Sequence, residues 1–142
     1  MKKVSAIKIL FMGMLAITLA LLFPQIAWSQ NIAAYTEAIQ RNPNDAIAFY
    51  NRGLAYAAMR EFAKAIEDYT EAIRLNPNFT DAYNNRGNAH FNIEEYDKAI
   101  EDYQAALRID PNHPIARSNL AVARQRQQQL TRERKRGLWF NF

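Results

Sequence analysis

The chain has 142 residues, 49% of them hydrophobic, and a formal charge of +4, which suffices for one small domain with a packed core once its N-terminal segment is set aside. It contains no cysteine. That excludes disulfides, thiolate metal sites, a cysteine nucleophile and the lipid-bearing residue of a bacterial lipoprotein, so a membrane tether would be a helix or non-covalent.

Residues 1–29 read as a targeting segment. Lys2, Lys3 and Lys8 give a positive start, Ile9 to Phe23 is an uncharged apolar run, Pro24 breaks it, and Ala27 and Ser29 are small residues where a signal peptidase reads them. Cleavage after Ser29 leaves Gln30 as the new N-terminus. The apolar run is shorter than the roughly 20 residues of a spanning helix, which favours a cleaved signal over a retained inner-membrane anchor. Either one places the rest of the chain outside the cytoplasm, periplasmic or secreted.

The pattern that organises the chain comes next. Residues 46–79 and 80–113 are one thirty-four-residue pattern written twice: Asn51/Asn85, Arg52/Arg86, Gly53/Gly87, Ala65/Ala99, Glu67/Glu101, Asp68/Asp102, Tyr69/Tyr103, Ala72/Ala106 and Pro77/Pro111 return in step. Within each unit the apolar and small residues fall at helical spacing in two runs, Ala46 to about Met59 and Glu61 to Leu75 in the first. Each unit is therefore a helix hairpin with its break near Arg60 or Glu94. Pro77 and Pro111 end the second helices, after which Asn78 or Thr80, and Asn112, are expected to cap the next ones. Gly53 and Gly87 are expected opposite Ala65 and Ala99, with Tyr69 and Tyr103 filling the space beside them.

The flanks are partial copies. Residues 30–45 align Ile32, Tyr35, Thr36, Ala38, Ile39 and Pro43 with Ile66, Tyr69, Thr70, Ala72, Ile73 and Pro77, and so form a half-repeat helix expected to cover the open end of the first hairpin. Residues 114–136 begin a third unit with Pro114 in the first helical turn and Ala116, Asn119, Leu120 and Ala123 on the packing face, then turn polar: a capping helix. From Arg117 on there are seven basic residues against one acid, whereas Gln30 to Ala116 carries eight basic and thirteen acidic ones. The stretch from Leu130 reads as a separate basic tail, with an aromatic end at 137–142.

An aromatic at Phe49 and Tyr83, Gly at Gly53 and Gly87, Tyr56, Ala at Ala65 and Ala99, Tyr69 and Tyr103, Ala at Ala72 and Ala106, and Pro at Pro77 and Pro111 together resemble the tetratricopeptide repeat. His90 in place of the usual Tyr, and Arg52 and Arg86 in place of the common Leu, depart from it. The resemblance implies an all-α solenoid of helix hairpins, with two full repeats, a preceding half repeat and a C-terminal capping helix. It also implies a concave groove lined by the first helix of each unit.

Chemistry of the chain's own is not indicated. His90 and His113 are far apart and His90 sits at a packing position, no nucleophile, phosphate loop or metal spacing stands out, and no cofactor is implied. The pairs Glu67-Asp68 and Glu101-Asp102 are adjacent on a helix, diverge around its axis, and read as a solvated outer face. The groove positions Tyr50, Asn51, Leu54, Asn84, Asn85, Asn88, Phe91 and Asn119 are the candidate partner-binding residues. Asn51, Asn85 and Asn119 recur every thirty-four residues, an amide ladder able to bind the backbone of an extended protein or peptide partner, with Tyr50, Leu54 and Phe91 choosing side chains; the rival reading is that these amides merely solvate an exposed face or bond between helices.

In the resembled family, some members clamp an acidic C-terminal peptide with Lys, Asn and Arg from three successive first helices. Here only Asn85 matches, and Tyr50, Leu54, Ile115 and Asn119 hold the other places, so that clamp is not expected. The basic aromatic tail suggests a membrane surface as an alternative partner. Nucleic acid is disfavoured, because the targeting segment leads away from it.

Overall fold

The computed structural model describes residues 26–139, so the apolar run of the targeting segment and the last aromatic residues lie outside the described residues. Among those described, the chain forms six helices and no strand: α1 (26–41), α2 (Ala46–Ala58), α3 (Phe62–Leu75), α4 (Thr80–Asn92), α5 (Tyr96–Ile109) and α6 (Pro114–Trp139). No described helix is long and apolar enough to cross a membrane.

Both hairpins turn through the same motif. Glu61 N–H bonds Tyr56 O and Arg60 N–H bonds Ala57 O, each at 2.9 Å, and Glu95 and Glu94 repeat this with His90 and Phe91 at 2.9 and 3.1 Å. This crossed pair of bonds closes a helix when the residue after the cap is left-handed. That residue is Arg60 (φ 62°) or Glu94 (φ 64°), not the usual glycine. Between units the chain uses Asn-Pro-Asn or Asp-Pro-Asn turns, where Asn42, Asn76 and Asp110 accept the N–H of the residue two further on at 3.2, 3.2 and 3.0 Å.

Two expectations about local structure are corrected. Asn78, Thr80 and Asn112 do not cap: the residue preceding α4 is Phe79, without a side-chain bond. The working caps are Asp45, which accepts from Ile47 and Ala48 at 3.0 Å, and His113, whose Nδ1 accepts the Ala116 N–H at 3.1 Å. Nor is the stretch from Leu130 a separate tail. It continues α6, because Gln, Arg, Glu, Lys and Leu are good helix formers, Gln129 reaches Glu133 at 3.1 Å, and cations suit a helix C-terminus. At 26 residues α6 is about 39 Å long, so its last turns run past the hairpin helices of 13 or 14 residues.

The core is a stack of alanines with tyrosines between them. Ala55, Ala65, Ala72, Ala82, Ala99, Ala106, Ala116 and Ala123 are each fully buried, and Tyr69 and Tyr103 are the largest side chains buried with them. Each tyrosine ring lies directly against a glycine: a Cβ on Gly53 would come 2.7 Å from Tyr69 Cε1, and one on Gly87 would come 2.7 Å from Tyr103 Cε1. The close partner of each glycine is thus the tyrosine, rather than Ala65 or Ala99.

A further correction concerns Asp68 and Asp102. Their neighbours Glu67 and Glu101 are exposed as expected, but the aspartates are buried, each 5% exposed. Arg52 grips Asp68 with Nε and Nη2, both at 2.8 Å, and its Nη1 reaches Thr36 Oγ1 at 3.2 Å. Arg86 does the same with Asp102 (3.0 and 2.7 Å) and Thr70 (3.1 Å). Each arginine lies over an aromatic ring, Phe49 or Tyr83, at 5.6 Å. One guanidinium thus joins three helices, α1, α2 and α3 or α3, α4 and α5, which is how α1 is fixed on the first hairpin.

Candidate binding face

Helices α2, α4 and α6 lie side by side, with α4 touching both of the others. Their shared face carries two depressions built on one plan. The first, about 240 Å³, is lined by Leu54, Ala57, Phe62, Tyr69, Asn85, Asn88, Ala89 and Asn92. The second, about 250 Å³, is lined by Asn88, Phe91, Asn92, Tyr103, Asn119 and Val122. Leu54, Ala57, Tyr69, Asn85 and Asn88 correspond, one unit on, to Asn88, Phe91, Tyr103, Asn119 and Val122. The repeat of the sequence has become a repeat of sites.

The amides form a network across the helices. Asn85 Nδ2 donates to Tyr50 Oη at 2.9 Å, and one unit on Asn119 Nδ2 donates to Asn84 Oδ1 at 3.1 Å. Asn119 also donates to Asn88 Oδ1 at 2.9 Å, which the Tyr103 hydroxyl reaches at 2.8 Å. Asn84 donates to Asn85 Oδ1 at 3.2 Å. Burial raises the Tyr50 pKa above the ordinary tyrosine value, the Asp81 charge adds to that and the Asn85 bond opposes it; burial raises Tyr69 and Tyr103 further still.

Of the eight residues expected to bind, Leu54, Asn85, Asn88, Phe91 and Asn119 line the depressions. Asn84 is 5% exposed and lines neither depression. Tyr50 is packed on Phe79 and Tyr69, at ring-centroid distances of 4.6 and 5.9 Å, and serves as an acceptor for Asn85. Asn51 lines neither depression. Sequence reasoning missed Tyr69 and Tyr103, treating them as core filler from the second helices. The signal was the return of tyrosine, with its hydroxyl, at a position that packing alone could fill with phenylalanine.

His90 and Glu95 lie apart from this face and bond within the second hairpin. His90, 8% exposed, has Nδ1 2.6 Å from Glu95 Oε2 and Nε2 3.9 Å from Asp102. Bonds from Lys98 and His90 hold the Glu95 carboxyl below its usual pKa. Among the described residues no group of three or more His, Asp or Glu side chains could hold a metal ion.

The model of the tetratricopeptide repeat matches residues 46–79 and 80–113. No curated protein matches the chain. Among solved structures, the first TPR domain of human RPAP3 is 30% identical with a TM-score of 0.71, the match covering 76% of this chain and 85% of that one. The first TPR of Spaghetti (RPAP3), bound to the HSP90 peptide SRMEEVD, is 32% identical with a TM-score of 0.68, covering 78% and 85%. The second TPR domain of human RPAP3, in complex with the HSP70 peptide SGPTIEEVD, is 25% identical with a TM-score of 0.68, covering 72% and 86%. With its paired hairpins, glycine-to-tyrosine contacts and repeated face, the chain belongs to the tetratricopeptide repeat family.

Proposed function

We propose that the protein is a non-catalytic scaffold that binds an extended segment of a protein or peptide partner along the face of α2, α4 and α6, outside the cytoplasm. The observation that carries this reading is the pair of equivalent depressions, one unit apart, each combining apolar side chains with amides. The similar TPR domains bound to peptides of HSP70 and HSP90 support the class of partner. Those peptides are acidic at their ends, whereas neither depression here has a Lys or Arg in its lining. The partner segment is therefore neutral or apolar where it meets the depressions. The apolar run and small residues before Gln30 support the location.

A photoreactive residue at Asn92, exposed and common to both depressions, tests the reading against one at Glu67, exposed on α3. Crosslinking in the native envelope from Asn92 alone supports the face. Crosslinking from Glu67 alone rejects it.

A second reading, a membrane-associated assembly factor, is favoured by the overhang of α6. The Lys and Arg ion pairs of the described residues all fall between Glu37 and Asp102, leaving Arg124, Arg126, Arg132, Arg134, Lys135 and Arg136 without an acid partner among them. Such a polybasic helix is attracted to anionic lipid. Co-sedimentation with anionic but not zwitterionic vesicles, lost when Arg132, Arg134 and Arg136 become Gln, supports this role; equal recovery with both kinds of vesicle rejects it.

A further inference from the structure

The two depressions share a plan but differ in their hydrogen bonds. In the second, Asn88 Oδ1 accepts both the Tyr103 hydroxyl and the Asn119 amide, at 2.8 and 2.9 Å. One unit earlier the two donors return as Tyr69 and Asn85, but the place of Asn88 is taken by Leu54, whose side chain accepts nothing. Asn85 turns to Tyr50. Tyr69 is 1% exposed, and its hydroxyl bonds to no described residue. Since no sealed polar side-chain atom among the described residues lacks a partner, the sliver of Tyr69 that meets solvent is its hydroxyl, at the floor of the first depression.

A nearly buried donor opening into a hollow asks for an acceptor from outside, because an unmatched donor loses its water on binding without replacement. The hollow also selects the kind of acceptor. Leu54, Ala57 and Phe62 give it an apolar wall and no Lys or Arg lines it, so a carboxylate settling there would shed water without gaining a counter-charge. A neutral amide oxygen fits. Asn88, whose Nδ2 is held only at 3.5 Å to Asn85, lines the same hollow and offers a second N–H.

We infer that the first depression is a receptor for an amide carbonyl oxygen of the bound partner, which accepts the Tyr69 hydroxyl as Asn88 Oδ1 accepts that of Tyr103. This rests on the groove reading above and names the anchor within it. The carbonyl can come from an Asn or Gln side chain or from the partner's main chain.

The test uses blocked, fluorescent heptapeptides of Ala and Leu with Gln, Leu or Glu at the centre, titrated by anisotropy into the full chain. Tyr69→Phe is expected to weaken the Gln peptide about three- to tenfold, the value of one neutral hydrogen bond, with an unchanged thermal melt. Leu54→Asn, which supplies the acceptor from within, is expected to weaken it likewise and to make Tyr69→Phe silent in its background. A loss confined to the Gln peptide identifies a side-chain amide, and an equal loss for the Leu peptide identifies the main chain; both support the inference. Equal affinities of wild type and Tyr69→Phe for every peptide overturn it while leaving the groove intact. Wild type binding none of the peptides overturns the groove reading and this inference with it.

Discussion

Arg86 holds both carboxylate oxygens of Asp102, at 2.7 and 3.0 Å, from a helix sixteen residues earlier, and Arg52 holds Asp68 in the same way. The pair is nearly out of solvent, with 19% of the arginine and 7% of the aspartate side chain exposed. A buried pair of this kind is costly to break and much less costly to replace.

Asp102→Asn is accordingly expected to lower stability by about 3 kcal/mol, since it strands a guanidinium between α3 and α5. Arg86→Leu together with Asp102→Ala is expected to recover most of that loss. Urea denaturation of the three proteins checks it; a double variant no more stable than Asp102→Asn would mean that the ion pair is needed for the fold.

Gly87→Ala tests the contact with Tyr103. In an open helix the change would stabilise by about 1 kcal/mol. Here the new methyl would lie 2.7 Å from the ring, and Asp102 Cβ is 3.2 Å away on the same side. Overpacking is expected to outweigh propensity, giving a net loss of about 1 to 2 kcal/mol and a lower melting temperature.

The two buried tyrosines should respond differently to loss of their hydroxyls. Tyr103→Phe deletes the bond to Asn88 Oδ1 and is expected to cost about 1 kcal/mol; Tyr69→Phe deletes no bond within the described residues and is expected to stay within about 0.5 kcal/mol of wild type at neutral pH. In alkali both matter. Burial raises each pKa, so the hydroxyls stay protonated in the folded chain after the unfolded chain has begun to ionise. Their contribution is therefore complete below a pH of about 10, the unfolded value, and declines as pH rises beyond it. Tyr69→Phe should make the alkaline fall in stability shallower, which denaturation at a series of pH values would read out.

Glu94 occupies the left-handed position between α4 and α5 with φ 64°. A side chain there is strained by about 1 to 2 kcal/mol, partly offset by the extra chain entropy that glycine loses on folding. Glu94→Gly is expected to gain about 0.5 to 1 kcal/mol in chemical denaturation.

Much of the architecture was legible in the residues. The thirty-four-residue return, the helical spacing inside it, and the breaks at Arg60 and Glu94 locate the hairpins, because helix periodicity is a local property that each segment carries by itself. Half repeats at both ends follow from the same register. The spacing also put Leu54, Asn85, Asn88, Phe91 and Asn119 on one shared face, where they line the two depressions, since residues on one helix face share a spacing.

What the tertiary structure decided is which of these residues meet. Glu67 and Asp68 are neighbours in sequence, yet a step of about 100° around the helix leaves one in water and turns the other onto Arg52. Asn85 and Asn119 look like matched rungs, but one finds Tyr50 and the other finds Asn84 and Asn88, so they bond within the protein. Tyr69 and Tyr103 differ in the same way: the ring position is set by the repeat, whereas the fate of the hydroxyl is set by a Leu or Asn on another helix. Periodicity fixes which face a side chain occupies, and only the packing of helices against one another determines what that face touches.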